Sequence, residues 1–129
     1  PKRYFDKDDN YPCQCCKTTF RLAQKLNLKP DEYQMSFQSR LGFAEWMKEY
    51  TDQTLKALPS KGMKNVQVIC PGFSADCLET IEEISEENKS YFMDSGGEKF
   101  GYIPALNDRP DHIEFLTQLL LDNTSGWNN

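Results

Sequence analysis

Apolar and polar residues alternate in several distinct ways along this chain, and each pattern predicts an element. Phe20, Leu22, Ala23, Leu26 and Leu28 recur at close to helical spacing and Pro30 closes the segment, which predicts a helix over about 13–27. Ahead of it, residues 1–11 are rich in turn formers and end before Pro12, so they read as a loop. Tyr33, Met35 and Phe37 alternate with Gln34, Ser36 and Gln38, as in a short strand over 33–39 that Gly42 terminates. Thr51–Leu58 reads as a helix stopping between Pro59 and Gly62. Residues 66–70 (VQVIC) form a β-branched apolar run of the kind found in buried parallel strands. A long helix follows, ending near Ser95, Gly96 and Gly97. Phe100–Leu106 is a third strand marked at its end by Pro104, and a last helix starts behind Asn107 or Asp108 with Pro110 in its first turn.

Strands alternating with helices, and few tight hairpin signals, indicate an α/β fold: a three-layer α/β/α domain with a small parallel sheet of three strands. A helix precedes the first strand, so a further strand upstream of Pro1 would complete the pattern. Residues 1–129 make one domain, with 123–129 expected as a flexible tail. The chain opens on Pro1 with no initiator Met, which suggests a fragment.

Composition narrows the function classes. A net charge of −5 and no basic patch argue against nucleic-acid partners. Apolar runs are only a handful of residues long, and the charged, aromatic N-terminus lacks the apolar segment of a signal peptide. Five cysteines without framework spacing fit reduced thiols, and a cytoplasmic location is expected.

The candidate chemistry lies in the acidic stretch from Asp76 to Glu87. At 100° per residue, Leu78, Ile81, Ile84, Ser85, Asn88, Tyr91 and Phe92 fall on one side, and Glu79, Glu82, Glu83, Glu86 and Glu87 on the other. A solvated face accounts for that pattern. It carries a cost, because Glu79, Glu83 and Glu87 repeat at i, i+4, i+8, where like charges oppose a helix by roughly 0.2–0.5 kcal/mol per pair. The helix also leaves a buried strand through a Pro-Gly turn, at the sheet edge where open α/β folds place ligands. Carboxylates there can hold a hydrated divalent cation or accept protons.

The motifs themselves resemble a known family. Phe37-Gln38-Ser39-Arg40 with Gly42, then Trp46, then Tyr50-Thr51-Asp52 with Thr54, then Cys70–Thr80 (CPGFSADCLET), and finally Tyr102-Ile103-Pro104 with Leu106-Asn107, occur in order as in the C-terminal half of ferrochelatases. The resemblance covers essentially the whole chain and is closest to enzymes of Gram-negative bacteria. It implies a chelatase-like fold, one half of a two-lobed enzyme that inserts ferrous iron into protoporphyrin IX to form protohaem, the last step of haem biosynthesis. Glu79 matches the catalytic, metal-handling carboxylate. Glu83 and Glu87 match acidic positions continuing from it along a helix with a π-type widening, a metal or proton path. Phe73, Trp46 and Tyr11 match walls of the porphyrin slot, and Ser39 a hydroxyl near a propionate. Implied partners are protoporphyrin IX and Fe²⁺ as substrates, the N-terminal lobe of the same enzyme, and a peripheral contact with the inner membrane. Such a role is chemically coherent, since insertion removes two pyrrole protons and strips water from the metal.

Two departures stand out. The family's catalytic His belongs to a block that would lie just upstream of Pro1, so this chain carries about half an active site and is expected to be inactive alone. Cys77 stands where many relatives have His, which removes a nitrogen ligand. The sole histidine, His112, reads as a surface residue. Cys13, Cys15 and Cys16 lack the spacing of a [2Fe–2S] site and read as buried or idle thiols, so no cluster and no permanently bound cofactor is expected. Cys70 reads as core. Rival readings are a non-catalytic α/β module that binds a divalent cation or a partner through the acidic helix, and a chelatase for another tetrapyrrole. A sheet lacking a strand would leave an edge open to self-association.

Overall fold

A computed structural model describes residues 1–5, 7 and 9–127. Its elements in chain order are α1 (Lys2–Phe5), α2 (Tyr11–Lys25), α3 (Thr51–Ala57), a 3₁₀ turn (Pro59–Lys61), β1 (Asn65–Ile69), a π-helix (Glu79–Asn88), α4 (Lys89–Asp94), β2 (Lys99–Ile103) and α5 (Pro110–Thr124). β1 and β2 pair in parallel, from Asn65 opposite Lys99 to Ile69 opposite Ile103, and the π-helix and α4 make the crossover between them.

The core is small and lies on one face of the sheet. Leu55 and Leu58 from the α3 segment meet the fully buried Phe92 of α4, and Val66, Val68 and Phe100 close over them from the strands. Burying a side chain such as Phe92 stabilises by roughly 1.5–3 kcal/mol. Its ring lies 6.0 Å from that of Phe100, tilted by 51°. The chain turns out of α3 at Gly62, whose φ of 86° is left-handed and suits glycine.

The α/β class and the small parallel sheet stand as expected, but several details differ. The segment 33–39 makes no strand ladder; Phe37 and Tyr50 form only an isolated parallel bridge. The alternation is real, yet no neighbouring strand among the described residues offers a row of partners, and Ser39 turns left-handed at φ 62°. Among the described residues the sheet therefore has two strands, not three. β1 buries only alternate residues, with Asn65, Gln67 and Ile69 exposed, so it is half-covered rather than sealed on both faces. Residues 2–5 are a helical turn, not loop, while Asp6 and Asp8 lie outside the described residues. α5 runs through Thr124, so the expected tail begins later; residues 128 and 129 lie outside the described residues. Phe20, Leu26 and Leu28 of the second segment are exposed, and only Pro12 and Ala23 of α2 are buried.

The acidic helix has the π-type widening that the resemblance implies, and its pitch corrects the faces assigned at 100° per residue. Its residues 79–88 wind as a π-helix, a form uncommon over ten residues and frequent at functional sites. Thr80, Ile84 and Asn88 are its buried residues, at i, i+4, i+8, whereas Leu78 and Ile81 are exposed. Side chains take up carbonyls along it: Asn88 Nδ2 donates to the Glu83 carbonyl over 2.5 Å, the Ser85 hydroxyl donates to Ile81, and Ser90 Oγ donates to Glu86 over 3.1 Å. Such bonds compete with the α ladder and widen or bend it. No helix among the described residues is long and apolar enough to cross a membrane.

Candidate functional site

A cavity of about 580 Å³ opens between α2, the 33–51 segment and the end of β1. That volume lies in the range of sites for small organic ligands. Tyr11, Ser39, Trp46 and Phe73 all line it, so four residues spread over 63 positions of sequence meet in one place. The local chain explains how. Tyr11 opens α2, fixed by Asp9 Oδ1, which accepts its backbone N–H over 2.9 Å. Trp46 is steadied by its indole N–H, which donates to the Leu41 carbonyl over 3.2 Å, while the Tyr50 hydroxyl donates to the Trp46 carbonyl over 3.3 Å. Phe73 sits on the turn after β1, whose N–H donates to the Cys70 carbonyl. Apolar walls with a few polar groups suit a largely apolar organic molecule.

Cys15 and Cys70 also line this cavity. The neighbouring Cys15 thiol raises the pKa of the Tyr11 phenol, with burial adding to the shift. Burial pushes the Cys70 thiol up to about 11, aided by the nearby Asp76 charge. Cys13 and Cys16, expected as buried or idle, are exposed on α2, and all five cysteines are unpaired. Cys70, expected in the core, is partly exposed and donates to Gln38 Oε1 at 3.8 Å.

A second, polar cavity of about 240 Å³ lies against the π-helix and holds Glu83 and Glu87 with Asp52, Asn88 and Tyr91. Phe37, Gln38, Ser39, Arg40 and Thr51 line both cavities and form the wall between them. Ser39 Oγ donates to Glu83 Oε2 over 3.0 Å across that wall. Arg40 pairs with Asp52 at 2.9 Å, and its guanidinium stacks 4.2 Å from the Tyr50 ring centroid. The charge of Glu87 raises the Tyr91 pKa, with burial adding to it. Asn88 Oδ1 is buried without a hydrogen-bond partner.

Glu79 lines neither cavity. It begins the π-helix, half-buried, and its backbone carbonyl accepts from Gln38 Nε2 over 3.4 Å, one residue's reach from both cavities. The Cys77 thiol, then the Glu79 backbone N–H, hold its carboxyl below the usual range against a smaller opposing effect of burial, so it is an anion at neutral pH. The described residues bring no three His, Cys, Asp or Glu side chains close enough to form a closed metal site, and the three glutamates are strung along the helix instead. Glu82 and Glu86 are exposed, as a solvated face should be.

Sequence reasoning missed three participants. Gln38 stands inside the quoted FQSR block, but nothing in its type marks it as the group joining β1, the π-helix and both cavities. Asp76 stands in the sequence only as the first residue of the acidic stretch, yet its carboxylate accepts four hydrogen bonds. His112 is not a surface residue. It is 7% exposed, its Nδ1 donates to the Asn107 carbonyl over 2.7 Å, and its Nε2 meets Ser74 Oγ at 3.1 Å. A carbonyl can only accept, so Nδ1 carries the hydrogen and Nε2 receives the serine hydroxyl in the neutral ring.

Comparison with known proteins gives one answer. The ferrochelatase family model matches residues 1–124. Over 127 residues, 98% of this chain, the sequence is 62% identical to the ferrochelatase of Hydrogenovibrio crunogenus and 60% identical to that of Marinobacter nauticus, covering 34% of each. Against the ferrochelatase of Yersinia enterocolitica it is 53% identical over 125 residues, 97% of this chain and 39% of that protein. The chain spans about a third of the length of the curated relatives it matches. With that match over its whole folded length, the chain belongs to the ferrochelatase family.

Proposed function

We propose that the full-length protein containing this chain inserts Fe²⁺ into protoporphyrin IX, releasing the two pyrrole protons as protohaem forms. The observation that carries this reading is the shared wall: an apolar slot bearing Tyr11, Ser39, Trp46 and Phe73 abuts a polar cavity bearing Glu83 and Glu87, with Gln38, Ser39 and Arg40 between them. The slot takes the macrocycle, whose faces are apolar and whose propionates are anionic. Ser39 and Arg40 stand where a propionate would find donors. Glu79, ionised and at the head of the π-helix, takes a pyrrole proton and eases the last waters from the metal. Glu83 and Glu87 pass protons or hydrated cations toward it through hard oxygen groups.

The remaining two-thirds of the relatives' length supplies the opposite wall of the slot and the catalytic His, so this chain alone lacks chelatase activity. Haem synthesis then takes place in the cytoplasm, with the apolar porphyrin arriving along the inner membrane. Full-length enzyme tests the reading: loss of protoporphyrin fluorescence is followed on adding Zn²⁺ or anaerobic Fe²⁺, for wild type and Glu79→Gln. Turnover by wild type and its loss by about 100-fold or more in the variant is the expected result. Equal rates for the two proteins would return the acidic helix to a solvated face.

A further inference from the structure

The residues just ahead of the π-helix are tied down by several side-chain hydrogen bonds, from groups that the reaction as proposed does not use. Asp76 Oδ1 accepts from the Tyr102 hydroxyl at 2.5 Å, from Thr80 Oγ1 at 3.0 Å and from the Ala105 N–H at 3.2 Å. Asp76 Oδ2 accepts from Asn107 Nδ2 at 2.8 Å, and the Asp76 N–H returns a bond to Asn107 Oδ1 at 2.8 Å. Asn107 is itself held left-handed at φ 50°, its N–H donating to the Ser74 carbonyl over 3.1 Å and its carbonyl accepting from His112. Three segments therefore converge on one carboxylate carried by the loop after β1: the first turn of the π-helix, the end of β2 with the residues after it, and the approach to α5.

We infer that Asp76 is a positioning residue for Glu79. Thr80, fully buried and directly after Glu79, is gripped from both sides, since its Oγ1 faces Asp76 Oδ1 and accepts the Cys77 N–H over 3.0 Å. That grip sets the direction in which the π-helix starts, and Glu79 is its first residue. A π-helix begun on one anchored turn and bonded at Asn88 has little freedom to rewind to α pitch, so the offset between Glu79 and Glu83 is held. Tyr102 and Asn107 act through Asp76, and His112 acts through Asn107. Charge suits the role: strong donors keep this carboxylate ionised, so it orients a neighbour and does not itself exchange protons near neutral pH.

This inference rests on Glu79 being the catalytic carboxylate, and its test separates the two claims. In full-length enzyme, kcat and KM for protoporphyrin metallation by Zn²⁺ are measured for wild type, Asp76→Ala, Tyr102→Phe, Glu79→Asp and the double variant Asp76→Ala/Glu79→Asp, with porphyrin affinity taken from fluorescence titration. A misplaced reacting group costs up to about 100-fold, so Asp76→Ala is expected to lower kcat by about 10- to 100-fold with porphyrin KM and Kd within about twofold of wild type. Tyr102→Phe should lose several-fold in kcat with the same split. Adding Asp76→Ala to Glu79→Asp should cost far less than it does alone, because the two act as a unit. Wild-type kcat in Asp76→Ala, or losses that multiply, would overturn the positioning role while leaving Glu79 in place. Wild-type kinetics in both Glu79→Asp and Glu79→Gln would overturn the catalytic reading and this inference together. Should Asp76→Ala fail to fold, the kcat and KM of Tyr102→Phe decide by the same criteria.

Discussion

Ser39 Oγ donates to Glu83 Oε2 over 3.0 Å, and it does so from a backbone held at φ 62°. A non-glycine residue in the left-handed region costs on the order of 1–2 kcal/mol, so this serine occupies its place at a loss to the fold. The same residue lines both cavities. The strained residue thus sits on the wall shared by the apolar and the polar cavity, at the point where that wall is bonded to Glu83.

Replacing Ser39 by Gly relieves that strain but adds flexibility to the unfolded chain, which offsets roughly 0.5–1 kcal/mol of the gain. The exposed bond to Glu83 is worth little to stability. Ser39→Gly should therefore leave stability unchanged or raise it by on the order of 0.5 kcal/mol, read as the urea midpoint, while metallation by the full-length enzyme falls. A variant that keeps full activity would show that the hydroxyl link across the wall plays no part in turnover.

Close packing yields a second prediction. A Cβ built on Gly97 would stand 2.2 Å from Cε1 and 2.4 Å from Cδ1 of Phe92, the fully buried ring at the centre of the core. Gly97 lies three residues past the end of α4, and its N–H donates to the Phe92 carbonyl over 3.0 Å, which ties the turn to the ring's own backbone. Overpacking of this kind costs roughly 1–3 kcal/mol. Gly97→Ala should lower the urea midpoint accordingly with an unchanged slope, and an unaltered midpoint would mean the Phe92 ring turns aside at no cost.

How much of this was legible in the residues depends on what each element needed. β1, α3 and α5 carry their own signals: a β-branched run, Gly62 at a left-handed stop, and Pro110 at a helix start. The strand expected at 33–39 needed a partner, and alternation of Tyr33, Met35 and Phe37 cannot supply one. A 3.6-residue turn puts Leu78 and Ile81 on one face with Ile84, whereas the π pitch buries Thr80 with Ile84 and Asn88. That pitch depends on contacts from other segments, such as Gln38 on the Glu79 carbonyl, which no local pattern encodes. Tyr11, Ser39, Trp46 and Phe73 came from the family motif, not from periodicity, and the cavity that unites them is a property of the folded chain. His112 is buried where Ser74, from the loop after β1, and Asn107, just ahead of α5, meet its two ring nitrogens, and only the second contact is local in sequence.

Acid titration makes the final prediction. The Tyr102 hydroxyl, then the Asn107 amide, lower the Asp76 pKa from 3.8 to about 2. A carboxyl whose folded pKa is depressed binds fewer protons folded than unfolded, so its contribution to stability is complete above the unfolded pKa and disappears as pH falls through the folded one. For Asp76 that window runs from about 4 down to about 2. Asp76→Asn removes the titration and sets an amide N–H against the donors of Tyr102, Ala105 and Asn107. The variant should be less stable than wild type at pH 5 to 7, and the gap between their urea midpoints should narrow steadily between pH 4 and pH 2 as the wild-type carboxylate takes up its proton. A gap that stays constant across that range would show that the bonds to Asp76 gain nothing from its charge, and that the anchor ahead of Glu79 is one of shape alone.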